Sequence, residues 1–235
     1  MALNLQTLKT RALTALIFVI IMLGGILWNA WAFIALFTLI HFGCWYEFVK
    51  LMKKIHGNSY LLYSLVGLVY ITMPVLMMLH LGIQWKISAV TNINKISYEL
   101  LIPCCIIFSI WINDTMAYLV GSLIGKTPFS KISPKKTLEG TIGGIILCII
   151  AMGFLYPMLM QHYRKATIPR QAWFIIPAIA AVFGTIGDLI ESKIKRMAGV
   201  KDSGSFMPGH GGFLDRFDSL LVAIPFVWIY VQLLM

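Results

Sequence analysis

Apolar residues come in long, nearly unbroken runs along this chain, and polar residues gather in the short segments between them. A helix needs about 20 mainly apolar residues to cross a bilayer. Runs near that length cover roughly residues 12–28, 30–49, 60–80, 99–124, 140–160, 172–191 and 219–235. The pattern therefore predicts an all-α polytopic integral membrane protein with about seven transmembrane helices. The run over 99–124 is the least regular and reads as either one long tilted helix or a broken one. Lys9 and Arg11 precede the first run, but a second run follows at once and no small-residue cleavage site stands out, so it is not read as a removable leader.

Composition points the same way. Of 235 residues, 59% are hydrophobic and only 12% are charged, against about 45–50% and roughly 25% in soluble domains. Too little charge is left to solvate a surface, so lipid takes that role. The expectation is a single membrane domain over 1–235, with N-terminal helices in 1–98 and the helices and loops of the candidate chemistry in 99–235.

The formal charge is +10. Its placement argues against a nucleic-acid partner, because the cations lie in short loops where they report topology and contact with anionic headgroups. With the N-terminus inside, fourteen Lys and Arg fall on the cytoplasmic side and five on the other. An odd number of spans then puts the C-terminus outside. Cys44, Cys104, Cys105 and Cys148 all lie within apolar runs, without metal-ligand spacing, which argues against both disulfides and zinc.

Acids are scarce enough to be informative. Glu47 and Glu99 stand near helix ends and call for no special explanation. The other seven of nine lie between 114 and 218. Carboxylates at membrane depth are costly and usually face a cavity, a partner or an ion. Asp188, Glu191, Ser192 and Lys195 would share one helical face, which also fits a solvated helix end. The next segment brings Lys195, Arg196, Lys201 and Asp202, then the glycine-rich Pro208–Gly212, then Asp215, Arg216 and Asp218. Acids to hold a hard cation, cations to neutralise phosphate and a loop with open amides are what a metal-bound polyphosphate requires. Of the five histidines only His210, between glycines in that loop, is a reasonable candidate. Upstream, Asp114, Tyr118, Gly121 and Gly125 share a helical face. The GxxxG by itself more often means close helix packing than chemistry. The basic stretch Ser133–Gly140, with Lys135, Lys136, Thr137 and Glu139, reads as either a phosphate contact or a plain cytoplasmic loop.

Ser192-Lys193-Ile194-Lys195-Arg196, Lys201-Asp202 and Pro208-Gly209-His210-Gly211-Gly212-Phe213-Leu214-Asp215-Arg216-Phe217-Asp218 together resemble the signature of the phosphatidate cytidylyltransferase (CDP-diacylglycerol synthase) family. About thirteen fixed positions at fixed spacing make the match specific. Asp114, Ala117-Tyr118, Gly121, Gly125-Lys126, Ser133-Pro134-Lys135-Lys136-Thr137 and Glu139-Gly140 are similar to the family too, as is Lys9-Thr10-Arg11. Residues 15–100 hardly match. Met207 and Ser122 depart from the pattern, Ser122 where a basic residue is expected, and the chain is short for the family.

The resemblance implies transfer of a cytidylyl group from CTP to phosphatidate, giving CDP-diacylglycerol and pyrophosphate with Mg2+. By position, Asp188 and Asp215 would be the metal ligands, with Asp218, Lys195 and Arg196 completing the catalytic set. Asp114, Lys135, Lys136, Thr137, Glu139, Ser192, Lys201, Asp202, His210, Gly211, Gly212 and Arg216 would bind substrate. The implied setting is the cell's inner membrane, among its lipids, with the N-terminus and active-site loops cytoplasmic. The sequence leaves a homodimer open. Two competing readings are an enzyme acting on another lipid phosphate or lipid alcohol, and a cation-coupled transporter. The second does not explain the long Gly/His/Asp/Arg segment.

Overall fold

The computed structural model describes residues 5–87, 94–130, 132–160, 168–206 and 211–235. Its helices are α1 (Leu5–Leu27), α2 (Ala30–His56), α3 (Tyr60–Ser64), α4 (Met73–Gly82), α5 (Leu101–Ile124), α6 (Leu138–Leu159), α7 (Ala172–Met197) and α8 (Leu214–Leu234). Among the described residues five stretches are long and apolar enough to cross a membrane: Ala30–Ser64, α5, α6, α7 and α8. Ala12–Leu27 and Leu68–Gly82 are apolar but shorter. The architecture is that of a multi-pass, helical membrane protein. One small departure from all-α is an antiparallel pair, β1 (Ile83–Ile87) and β2 (Asn94–Tyr98), with Ile83 opposite Tyr98 and Trp85 opposite Ile96.

Two compact units share the chain, one built from 1–100 with 194–217 and the other from 101–193 with 218–235. In the first, Asn29 starts α2 by accepting the Ala32 N–H on its side-chain oxygen at 2.9 Å, a standard N-cap. The buried stripe of α2 is Phe33, Phe37, Ile40, Cys44, Glu47, Phe48 and Leu51, the spacing of one helical face. The apolar run over 60–80 is interrupted. It forms α3, then a π-turn over Leu68–Thr72, then α4 with Pro74 in its first turn. Proline has no N–H to donate, and a π-turn absorbs the change in pitch. Trp45 donates to Thr72 Oγ1 at 2.9 Å, and His41 Nε2 lies 3.0 Å from the same oxygen, so the π-turn is tied to α2.

In the second unit α5 is continuous, which settles the choice left open for 99–124. Lipid tails are as apolar as leucine, so helices there associate through close packing rather than through water exclusion. The α5–α6 pair shows this. A Cβ on Gly144 would stand 2.7 Å from Ala117 Cβ and 2.8 Å from its backbone nitrogen, and one on Gly140 would stand 2.8 Å from Gly121 Cα. Polar ties supplement the packing: Tyr156 Oη donates to the Leu101 carbonyl at 2.7 Å and the Cys148 thiol to the Ser109 carbonyl at 3.1 Å. All four cysteines are buried, and none is in a disulfide.

Candidate active site

In the first unit the candidate loop begins where α7 ends. Gly199 has φ +65°, its N–H reaches the Arg196 carbonyl and the Val200 N–H reaches the Lys195 carbonyl. This pairing is a Schellman closure, in which glycine takes the left-handed position without a Cβ penalty. It turns the chain sharply after the last basic turn of the helix.

Asp215, at the start of α8, organises the far end of the loop. Lys195 Nζ donates to Asp215 Oδ1 at 2.6 Å, with the two side chains 13% and 7% exposed. Asp215 Oδ2 accepts the Gly212 N–H at 2.7 Å and the Ser203 N–H at 2.9 Å, and Ser203 Oγ also lies 2.9 Å away. Gly211 has φ +85°, and a Cβ there would come within 2.6 Å of Asp215 Oδ2. Two of the family-like glycines are thus needed where the backbone wraps a carboxylate.

A residue that sequence reasoning set aside completes this cluster. Glu47 is 4% exposed. Its Oε2 accepts from Ser203 Oγ at 2.7 Å and from the Leu214 N–H at 2.9 Å. A Cβ on Gly204 or Gly212 would run into its carboxylate. One turn earlier on α2, Gly43 receives the Phe213 ring, which a Cβ would meet at 2.6 Å. The signal was present in the spacing, because Glu47 falls on the apolar stripe of its helix rather than on the opposite face. Ser203 had no such signal. Arg196, Lys201, Asp202 and Arg216 are exposed in this unit. His210 lies outside the described residues.

In the second unit Lys136 and Asp188 form an ion pair, with side chains 33% and 27% exposed. The loop that carries Lys136 is closed on itself. Phe129 N–H donates to the Lys136 carbonyl at 2.8 Å and Leu138 N–H to the Thr127 carbonyl at 2.9 Å. Glu139 accepts from the Lys126 N–H at 3.1 Å and from Thr127 Oγ1 at 2.8 Å, and Thr137 Oγ1 caps α6 by accepting the Gly140 N–H at 3.1 Å. Glu139 and Thr137 therefore shape the loop that presents Lys136. Lys135 and Asp114 are exposed, Ser192 is half-buried, and Glu191 is fully buried. Asp218 is 6% exposed and accepts the Ser219 N–H on Oδ1 at 2.6 Å. Gly187 lies so close to it that a Cβ would stand 2.5 Å from the Asp218 carbonyl oxygen.

Asp188 and Asp215 are carboxylates, the hard donors that Mg2+ takes; in this structure Asp188 is paired with Lys136 and both Asp215 oxygens already accept donors. Among the described residues no three His, Cys, Asp or Glu side chains gather into a cage. Mg2+ is usually held by one or two carboxylates together with waters and substrate phosphates, not by an all-protein cage.

The pattern of the cytidylyltransferase family matches residues 69–234. Phosphatidate cytidylyltransferase of Bacillus subtilis (strain 168) is 38% identical over 145 residues, which cover 61% of this chain and 51% of that protein. The enzyme of the same name from Staphylococcus saprophyticus is 45% identical over 117 residues, 49% of this chain and 43% of that protein. That from Staphylococcus aureus (strain COL) is 43% identical over 119 residues, with shares of 49% and 43%. The chain spans about half the length of the curated relatives it matches. With the match running from the π-turn to the end of α8, this chain belongs to the cytidylyltransferase family.

Proposed function

We propose that the protein transfers a cytidylyl group from CTP to phosphatidate, releasing pyrophosphate and leaving CDP-diacylglycerol in the membrane. The observation that carries this reading is the loop from Gly199 to Asp215, in which an acid is fixed by a lysine and by backbone amides beside several exposed cations. The names of the relatives agree with it.

The chemistry asks little of the protein in proton transfer. An oxygen of the lipid phosphate attacks the α-phosphorus of CTP, and the bond from that phosphorus to the oxygen bridging to the β-phosphate breaks. The nucleophile is already an anion, so no general base is required. The barrier lies in bringing two anions together and in stabilising pyrophosphate as it leaves, which positioning and positive charge supply. In the first unit Lys195, Arg196, Lys201 and Arg216 are the cations for this role. In the second they are Lys135 and Lys136. Mg2+ would supply further charge neutralisation, with Asp188 and Asp215 as its candidate ligands.

We further propose seven crossings in the cell's inner membrane, with the N-terminus and both loops cytoplasmic, on the strength of the fourteen-to-five bias of Lys and Arg. The deciding measurement is transfer of label from α-labelled CTP into organic-extractable lipid by the purified protein in detergent. Label in CDP-diacylglycerol that disappears without phosphatidate, and again without Mg2+, is the expected result. Label with a different lipid phosphate only would replace the acceptor. No label from folded protein with any lipid phosphate would overturn the reading.

A further inference from the structure

We propose that Glu47 is a positioning residue, the fixed point against which the loop carrying Asp215 is set. Its kinetic consequence rests on the cytidylyl-transfer reading, whereas its structural consequence rests on geometry alone.

Glu47 belongs to α2, outside the residues 69–234 that match the family. It nevertheless holds both ends of the loop. At one end Ser203 Oγ is 2.7 Å from Glu47 Oε2, and at the other the Leu214 N–H donates to the same oxygen at 2.9 Å. Leu214 is the first residue of α8. The first N–H groups of a helix have no partner within it, so Glu47 supplies from another helix what a cap residue would supply locally. Asp215 is the next residue, and its carboxylate takes its direction from the way α8 begins.

The second link runs through Ser203. Its hydroxyl has one proton and faces two carboxylate oxygens, Glu47 Oε2 at 2.7 Å and Asp215 Oδ2 at 2.9 Å. Asp215 Oδ2 already accepts two backbone N–H groups, while Glu47 Oε2 accepts one. Ser203 Oγ is within donating distance of both and so bridges the two acids. Ser203 Oγ in turn accepts the Asp215 N–H at 3.3 Å, so the serine is locked between the acids. Gly204 and Gly212 flank the Glu47 carboxylate with no room for a side chain, and Phe213 is seated on Gly43 one turn away. The loop fits around this acid. Removing it leaves the Leu214 N–H without that partner in a buried place and the Ser203 hydroxyl with Asp215 alone, so the loop must move to satisfy the amide.

The test has two arms, on wild type and on Glu47→Ala, Glu47→Gln and Ser203→Ala, all purified in detergent. Hydrogen exchange over residues 200–217 reads the geometry, and steady-state kinetics read its use. In Glu47→Ala the amides of Ser203, Gly212 and Leu214 are expected to exchange at least about tenfold faster, as local opening becomes easier. A carboxylate displaced by a fraction of an ångström lowers turnover, so kcat per folded protein is expected to fall about 10- to 100-fold, with KM for CTP changed less than about threefold. Glu47→Gln keeps one acceptor oxygen and should recover part of both effects. A residue that only stabilised the fold would lower the unfolding midpoint and leave kcat of the folded fraction unchanged.

Unchanged exchange at those amides in Glu47→Ala and Ser203→Ala overturns the proposal, whatever the activity. Faster exchange with wild-type kcat overturns its functional half. Should Glu47→Ala fail to fold, Glu47→Gln and Ser203→Ala carry the same two readings. If wild type transfers no label at all, the proposed reaction has failed and the exchange arm decides the positioning alone.

Discussion

Asp215 and Asp188 are both acids beside lysines, yet their surroundings differ enough to separate their variants. Asp215 is almost closed off and accepts donors on both oxygens. Asn at 215 would keep one acceptor but turn an amide toward the Lys195 ammonium or the loop amides. Asp215→Asn should therefore abolish label transfer and lower stability by about 1–3 kcal/mol, with the protein still eluting as a single folded species in detergent. Near-normal turnover would remove Asp215 from the site. The Lys136–Asp188 pair is roughly a third exposed, and such pairs contribute only about 0–1 kcal/mol to stability. Lys136→Met should thus leave the unfolding midpoint nearly unchanged while lowering kcat/KM for CTP by about tenfold or more, the loss of one charge-assisted phosphate contact. A drop in midpoint with normal kinetics would make the pair a structural one. The loop that joins Lys195 to Asp215 was legible in the sequence because glycines and charges at fixed spacing mark it out from the apolar runs. Glu47 was not, because an acid near a helix end has an ordinary explanation, and only its place on the Phe33–Leu51 stripe contradicts that explanation.

Among the elements, the α5–α6 pair makes the sharpest demand on sequence. Gly144 meets backbone atoms of Ala117, which cannot swing aside as a side chain could. Gly144→Ala should cost about 1–3 kcal/mol through overpacking, read as a lower unfolding midpoint in detergent. Gly24→Ala is its control, since nothing lies within 4 Å of a Cβ there and alanine is the better helix former. Equal midpoints for the two variants would mean that the glycines do not set the approach of these helices. The long helices were readable because a uniformly apolar run of span length has one dominant solution in lipid. The interruption between α3 and α4 was not readable for the same reason, since hydropathy stays high through the π-turn and only Pro74 marks a change. The β1–β2 pair was missed although Ile83, Trp85 and Ile87 alternate along β1, because pairing with β2 is a tertiary fact that neither strand encodes alone.

For the molecule as a whole, the number of crossings is the property that composition leaves least determined, because among the described residues five stretches reach span length and two apolar helices are shorter. Alkaline phosphatase fused after Met235 should be active, as expected of a C-terminus outside, and one fused after Gly57 should be inactive. An inactive C-terminal fusion would mean an even number of crossings. Both compact units draw on separated stretches of the chain, so neither can be completed until late in synthesis. Glu47 makes the delay concrete. It emerges 156 residues ahead of Ser203, and by then α2 has already had to leave the translocon. A lone acid in a membrane helix costs up to about 2.5–3.5 kcal/mol at insertion, the most at the bilayer centre and less toward a helix end, a debt that the phenylalanines and isoleucines of α2 must carry until the loop is made. Ribosomal stalling or truncation before Ser203 would strand α2 with a bare carboxylate, the kind of exposed defect by which membrane quality control recognises an unfinished protein.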